Sequence, residues 1–397
     1  MPNLKYLENA YPVAPLKLIA LESCQNLGRQ VNHHLVEFRK HIQQVHSSER
    51  YFQGYVEDNY LLKCTCPRFG SGEGKSVLHE SVRGKDIYIM VDICNRSISY
   101  KMNGYVNYMS PDNHFQDLKR VISVVSGRAH RITVIMPFLY EGRQHKRTGR
   151  ESLDSALALQ ELANMGIANL ITFDAHDPSI QNSSPLCGFD NFIPPYQFIR
   201  ALLRYEPDLI IDKDHLIVIS PDEGAMSRAI YFANVLSVNT GMFYKRRNFS
   251  TIVDGKNPIV AHEFLGENIQ GKDVIIMDDM ISSGESMLDT ARQLKQMRAK
   301  RVFIFSTFGL FTKGLEDFDR AFENHYFDRV ITTNLSYRMP ELFSKPYYIE
   351  ADMSKFLASI IDFLNHDVSM NGVHTPTEKI QAILARHQER DDFPVYS

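Results

Sequence analysis

Two adjacent carboxylates, Asp278 and Asp279, separate an apolar run from a string of small residues, Ser282-Ser283-Gly284-Glu285-Ser286. Paired carboxylates at such a junction can hold sugar hydroxyls or a hard cation such as Mg²⁺. Val274 to Met277 reads as a fully buried strand. Glu285 to Arg298 reads as a helix, with apolar residues at Met287, Leu288, Ala291, Leu294 and Met297. Ligands of open α/β sheets bind beyond the carboxyl ends of strands. A helix N-terminus offers free N–H groups to phosphate, and Ser and Gly let the backbone come close to it. The chemistry is that of a sugar-phosphate or nucleotide site. An ordinary N-cap uses the same small residues, so this stretch alone leaves both readings open.

Other segments carry chemistry at comparable places. Arg143-Gln144-His145-Lys146-Arg147 follows the strand expected at Ile132–Met136. Arginine forks suit a polyphosphate, although the composition also describes a solvated basic loop. Asp174-Ala175-His176-Asp177 ends the strand expected at Leu170–Phe173, and its carboxylates offer the oxygen ligands that Mg²⁺ prefers over histidine. Ser220 to Ala229 runs from a strand end into a helix, with Asp222 and a permissive Gly224 at the corner. Lys245, Arg246 and Arg247 follow a short strand and precede a polar segment reaching Gly271. Gly70 to Ser76 approaches the phosphate loop G-x-x-x-x-G-K-S, but the first required glycine falls on Phe69. No strand before it or helix after it is expected, so that reading is rejected. Cys64 and Cys66 have no second Cys pair or spaced His pair to complete a metal site and read as structural.

These segments need a scaffold. Apolar runs at Ile87–Val91, Ile132–Met136, Leu170–Phe173, Leu216–Ile219, Val274–Met277, Val302–Phe305 and Arg329–Thr332 read as strands. Helical patterns lie between them at Asn113–Ser126, Ser152–Met165, Pro195–Arg204, Gly224–Leu236 and Glu285–Arg298. Such alternation predicts an α/β protein with mostly parallel sheets flanked by helices. A chain of 397 residues has room for two domains, and Pro-Leu-Cys-Gly and Pro-Pro punctuate the chain near Phe189–Pro195, where the boundary is expected. The expected division is 1–190, 191–340, and a helical tail over 341–397 with an amphipathic helix at Met353–Leu364. A net charge of −3 gives no electrostatic case for nucleic acid or an anionic membrane. Five cysteines, no export-signal pattern and no long apolar run predict a reduced, cytoplasmic protein.

The order of these segments resembles one family. Asp278 to Ser286 resembles the phosphoribosyl-diphosphate (PRPP) loop shared by phosphoribosyltransferases and PRPP synthetases, the ribose-phosphate diphosphokinases. The stretch Phe69 to Asp86, Tyr140 to Arg147, Asp174 to Asp177, Ser220 to Ala229 and Tyr244 to Arg247 resemble PRPP synthetase segments in the same order. The resemblance implies two phosphoribosyltransferase-like domains and Mg²⁺-dependent transfer of diphosphate from ATP to ribose 5-phosphate. It implies catalytic roles for Lys245 and Arg247, and ATP contacts for Phe69, Ser71, Glu73, Arg143, Gln144 and His176. Ribose 5-phosphate would meet Asp278, Asp279, Ser282, Ser283, Gly284 and Ser286, and the metal would meet His176 and Asp222. A homo-oligomer, dimer or hexamer, is implied as well. The alternatives are a phosphoribosyltransferase, which needs no ATP, and a non-catalytic regulatory subunit. There are departures from the family. His145 stands where an Asp is usual, Pro178 onward differs, and Glu285 replaces a glycine beside the expected phosphate.

Overall fold

The computed structural model describes residues 7, 10–45, 54–247, 259–370 and 376–391; the side chains of 45, 245–247, 259–262 and 388–391 fall outside the description. The chain divides into two compact units, one of 1–193, 334–337 and 352–375, the other of 194–333, 338–351 and 376–397.

The first unit runs β1 (Leu16–Ala20), α1 (Gln25–Val45), the short pair β2 (Cys64–Thr65) and β3 (Val77–Leu78), and β4 (Asp86–Met90). A hairpin of β5 (Ser99–Met102) and β6 (Tyr105–Tyr108) follows, then α2 (Pro111–Val125), β7 (Arg131–Ile135), α3 (Asp154–Asn164), β8 (Asn169–Phe173) and β9 (Gly188–Phe192). Five strands form one sheet in the order β1-β4-β7-β8-β9, parallel throughout. Helix α2 starts two residues before the expected Asn113, because Ser110 caps it through the Asn113 N–H and Pro111 fits the first turn. Ile87, Ile89, Val134, Leu118, Val121 and Leu162 share one apolar core beneath the sheet.

The second unit runs α4 (Pro195–Tyr205), β10 (Leu216–Ser220), α5 (Met226–Leu236), β11 (Asn239–Arg247), β12 (Ile259–Leu265), β13 (Asp273–Ile281) and α6 (Glu285–Gln296). It continues with β14 (Val302–Gly309), α7 (Glu316–Glu323), β15 (Arg329–Thr333) and β16 (Tyr348–Ala351). The chain then contributes α8 (Ser354–Asn365) to the first unit and α9 (Thr377–Asp391) to the second. The second sheet has seven strands, β12-β11-β10-β13-β14-β15-β16. Alternate residues of β13 serve two cores: Val274 and Ile276 face one, Ile275 and Met277 the other.

Several expectations are corrected. The strand expected at Val274–Met277 extends to Ile281, because the ladder with β14 continues through Asp278–Ser306, Met280–Phe308 and Ile281–Gly309. The two carboxylates therefore lie within the strand. The polar segment before Gly271 includes β12, antiparallel to β11, with Lys245 opposite His262. The stretch read as a domain boundary does hold the break between the units, at Ile193–Pro194, although β9, the edge strand of the first sheet, occupies part of it. The stretch read as a helical tail contains β16, whose Ile349 and Ala351 are buried against the second sheet's core.

Candidate active site

Parallel pairing sends β10 and β13 out of the sheet side by side, and the chemistry of the second unit gathers there. On β13 the Asp279 N–H donates to Asp278 Oδ1 at 2.9 Å. Asp279 is buried and Asp278 half-buried. Burial, together with the neighbouring Asp279 carboxylate, pushes the Asp278 carboxyl well above the usual range. Helix α5 supplies the counter-charge. The buried Arg228 guanidinium stands 3.9 Å from Asp278 Oδ1 and 3.9 Å from Asp279 Oδ2. At the end of β10, Asp222 Oδ1 accepts the Gly224 N–H at 3.0 Å and the Asp222 carbonyl accepts the Ser220 hydroxyl at 2.5 Å. These bonds hold a tight corner between β10 and α5.

Ser282, Ser283 and Gly284 form the turn from β13 into α6. Gly284 sits at φ +88°, the left-handed region. A Cβ there would also lie 2.3 Å from Phe318 Cε2, so both the backbone and the space demand glycine. Glu285 and Ser286 open the helix. The segment after β14 closes over this turn: Leu310 N–H donates to the Ile281 carbonyl at 2.9 Å and Thr312 N–H to the Ser282 carbonyl at 2.9 Å. Next to them the Glu285 carboxylate forms an ion pair with Lys313. The helix N-terminus, the turn and the carboxylate pair thus offer phosphate donors and hydroxyl acceptors on one β-strand-to-helix junction.

Lys245 and Arg247 lie in the backbone of β11, but their side chains fall outside the described residues.

In the first unit two groups of candidate residues stand on different elements. Phe69 to Glu73 is a tight turn between β2 and β3, closed by Phe69 N–H to Glu73 carbonyl at 2.7 Å and Gly72 N–H to Phe69 carbonyl at 2.9 Å. The Ser71 hydroxyl donates to Glu73 at 2.9 Å. Arg68 anchors the turn to α2 with a fork onto Asp117 at 2.8 and 2.7 Å. The Phe69 ring is left 53% exposed, with Lys75 Nζ 5.7 Å from its centroid; an open aromatic face of this kind can stack on a base.

The second group spans the loops after β7 and β8, neighbours in the sheet. His145 Nε2 lies 3.1 Å from Asp177 Oδ2, and its ring lies 5.7 Å from that of His176. Hydrogen bonds from Ser179, with His145 and Lys146 nearby, hold the Asp177 carboxyl below its ordinary range. Arg143 and His176 are exposed. Gln144 is tied into the loop: its amide donates to the Ser152 carbonyl at 2.9 Å, and its carbonyl accepts the Ser155 hydroxyl at 2.6 Å. Asp174 is buried with φ +43°.

The oxygen donors of Asp222, Asp278 and Asp279 fit a hard cation such as Mg²⁺, and the His176 nitrogen fits it poorly. Among the described residues one group of three possible metal ligands stands close together, His33, His34 and Glu37 on α1. Its two imidazoles suit a softer ion than Mg²⁺.

Sequence reasoning gave no role to Arg228, although it lies within the quoted Ser220–Ala229 segment, and it missed Lys313 altogether. Lys313 is distant in the chain from Glu285, and only the fold brings the two together.

Residues 16–166 match a family described as the N-terminal domain of ribose phosphate pyrophosphokinase, and residues 197–318 match the phosphoribosyl transferase domain family. The chain is 30% identical to the ribose-phosphate pyrophosphokinase of Mycoplasma genitalium over 276 residues, covering 68% of this chain and 75% of that one. It is 26% identical to the ribose-phosphate pyrophosphokinase of Vibrio parahaemolyticus over 309 residues, covering 77% and 89%. Among solved structures, the phosphoribosylpyrophosphate synthetase of Mycobacterium smegmatis is similar in fold, with a TM-score of 0.70 and 22% identity, covering 89% of this chain and 99% of that one.

Proposed function

The chain belongs to the ribose-phosphate pyrophosphokinase family, and on that premise we propose that it transfers diphosphate from ATP to O1 of ribose 5-phosphate. The products are PRPP and AMP. A bond forms between O1 and the β-phosphorus while the bridge between the α- and β-phosphorus breaks. AMP leaves with the bridging oxygen and the O1 proton passes to solvent. The observation that carries this reading is the β13–α6 junction: two carboxylates balanced by Arg228, followed by a glycine turn at a helix N-terminus.

Asp278 and Asp279 hold the ribose hydroxyls, and Arg228 positions the two carboxylates. Ser282, Ser283, Gly284 and Ser286 cradle the 5-phosphate with N–H and hydroxyl donors. Phe69, with Ser71 and Glu73, takes the adenine, and Arg143, Gln144 and His176 face the ATP phosphates. Gln144 acts chiefly through the loop it ties down. Lys245 and Arg247 balance the charge that moves in the transition state. Mg²⁺, when bound, would neutralise phosphate charge; Asp222 is the side chain best suited to hold it, with His176 a weaker candidate. We take the protein to be a homo-oligomer working in a reducing, cytoplasmic setting, in keeping with its five free thiols.

The match over residues 16–166 favours a pyrophosphokinase over a simple phosphoribosyltransferase. Two reactions separate them. Supplied with ATP and ribose 5-phosphate, the protein should release AMP; supplied with PRPP and a nucleobase, it should form no nucleotide. The opposite pattern would overturn the reading. Lys245→Ala should lower kcat by a factor of 100 or more, in the range expected for loss of transition-state charge stabilisation. The same variant should change the ribose 5-phosphate KM little, and equal losses in both would remove Lys245 from its role.

A further inference from the structure

Glu285 puts a carboxylate at the first position of α6, where the helix N–H groups are to meet a phosphate. Left alone it would repel that phosphate, yet it is not alone, since it pairs with Lys313. The pair is open to solvent, the side chains being 65% and 57% exposed, and an ion pair so exposed adds little to folding stability. Its placement, however, is built. Leu310 and Phe311 N–H groups both donate to the Ile281 carbonyl, at 2.9 and 3.2 Å, and Thr312 N–H reaches Ser282. Gly314, at φ +80°, closes the turn with an N–H bond of 3.0 Å to the Phe311 carbonyl. The Phe311 ring packs edge-on against Phe318 at 5.1 Å, and Phe318 fills the space under Gly284. Lys313 therefore stands on a segment packed against the turn that it faces.

We propose that Lys313 is a specificity-determining residue of the sugar-phosphate cradle: with Glu285 as its tether, it supplies the cation that meets the 5-phosphate dianion of the sugar substrate. An ammonium has three donors, so Lys313 can keep Glu285 and still donate to a phosphate oxygen. Glu285 replaces the family's glycine without an uncompensated negative charge, and the second segment, Thr312-Lys313, becomes part of the cradle. This rests on the reading of Ser282–Ser286 as the phosphate site.

The test is a calorimetric titration of ribose 5-phosphate into the full-length wild type, Lys313→Ala, Glu285→Gly and the double variant. Lys313→Ala leaves Glu285 facing the phosphate and should weaken binding at least tenfold. The double variant removes the repulsion but also lacks the cation, and should bind more tightly than Lys313→Ala yet more weakly than the wild type, so that the two substitutions are non-additive; a double variant equal to the wild type would overturn the inference, since Lys313 would then only cancel Glu285. ATP affinity and the thermal midpoint should move in none of them, which separates a charge role from a structural one. Lys313→Ala within twofold of wild type, or a double variant as weak as Lys313→Ala, would overturn the inference, as would a wild type that binds no ribose 5-phosphate. Release of AMP by the wild type is measured alongside. A protein that binds the sugar as described but releases no AMP defeats the proposed reaction and leaves the role of Lys313 standing.

Discussion

Asp278 is kept where it costs stability. Its carboxyl is raised by burial and by Asp279, so the folded state prefers the protonated form. A group whose folded pKa lies above its unfolded value contributes stability that is present below the unfolded pKa, about 3.9. That stability is lost as pH rises through the folded value. Asp278→Asn should therefore raise the thermal midpoint at neutral pH while abolishing sugar-phosphate binding, measured by calorimetry on the same sample. A variant less stable than the wild type at neutral pH would contradict this account. At Gly284, substitution by Ala meets both φ +88° and the Phe318 ring. It should cost ~1–3 kcal/mol, the range for overpacking, read from denaturant unfolding, and lower affinity for ribose 5-phosphate. The types and spacing of Asp278, Asp279 and Gly284 made the chemistry legible in the sequence. What was not legible was charge balance across the fold, because Arg228 and Lys313 reach these groups from α5 and from the segment after β14.

At the scale of elements, the buried strands were readable because a continuous apolar run has few other homes. β1, Leu-Lys-Leu-Ile-Ala, is fully buried and was missed all the same, its apolar run being broken by Lys17; other missed strands carry weaker signals. β9 is Gly-Phe-Asp-Asn-Phe, an edge strand with polar residues, and β16 is four residues long. β13 outran its apolar run because a parallel neighbour on β14 kept its backbone paired past the aspartates. The join between α1 and α8 was hidden for a different reason. Arg39 on α1 donates to Asp362 at 3.0 and 2.9 Å and to Asn365 at 2.6 Å, all buried, across more than three hundred residues of chain. Asp362→Ala strands the buried guanidinium and should destabilise the first unit by about 3–5 kcal/mol, the usual cost of breaking a buried pair from one side. His366, at the end of α8, bonds to the Asp362 carbonyl and the Tyr55 hydroxyl. Burial lowers its pKa below the ordinary value. Its contribution to stability is therefore present above about pH 6.5 and is lost as pH falls through the lower folded value. Urea unfolding across that window should show the loss, and His366→Gln should flatten it.

For the molecule as a whole, the sequence disclosed two sheets, the order of the motifs and the family they resemble, since each depends on local runs and their succession. Assembly left no such trace in a single chain. Light scattering is expected to give a multiple of the 45.7 kDa chain mass; a monomer under conditions of full activity would contradict the expected homo-oligomer. Among the described residues no helix is long and apolar enough to cross a membrane. The central claim is the reaction itself. Phosphorus NMR of the protein with ATP, Mg²⁺ and ribose 5-phosphate should show the resonances of AMP and of a sugar 1-diphosphate rising in equal amounts. ADP in place of AMP, or AMP without the sugar diphosphate, would contradict diphosphate transfer to O1.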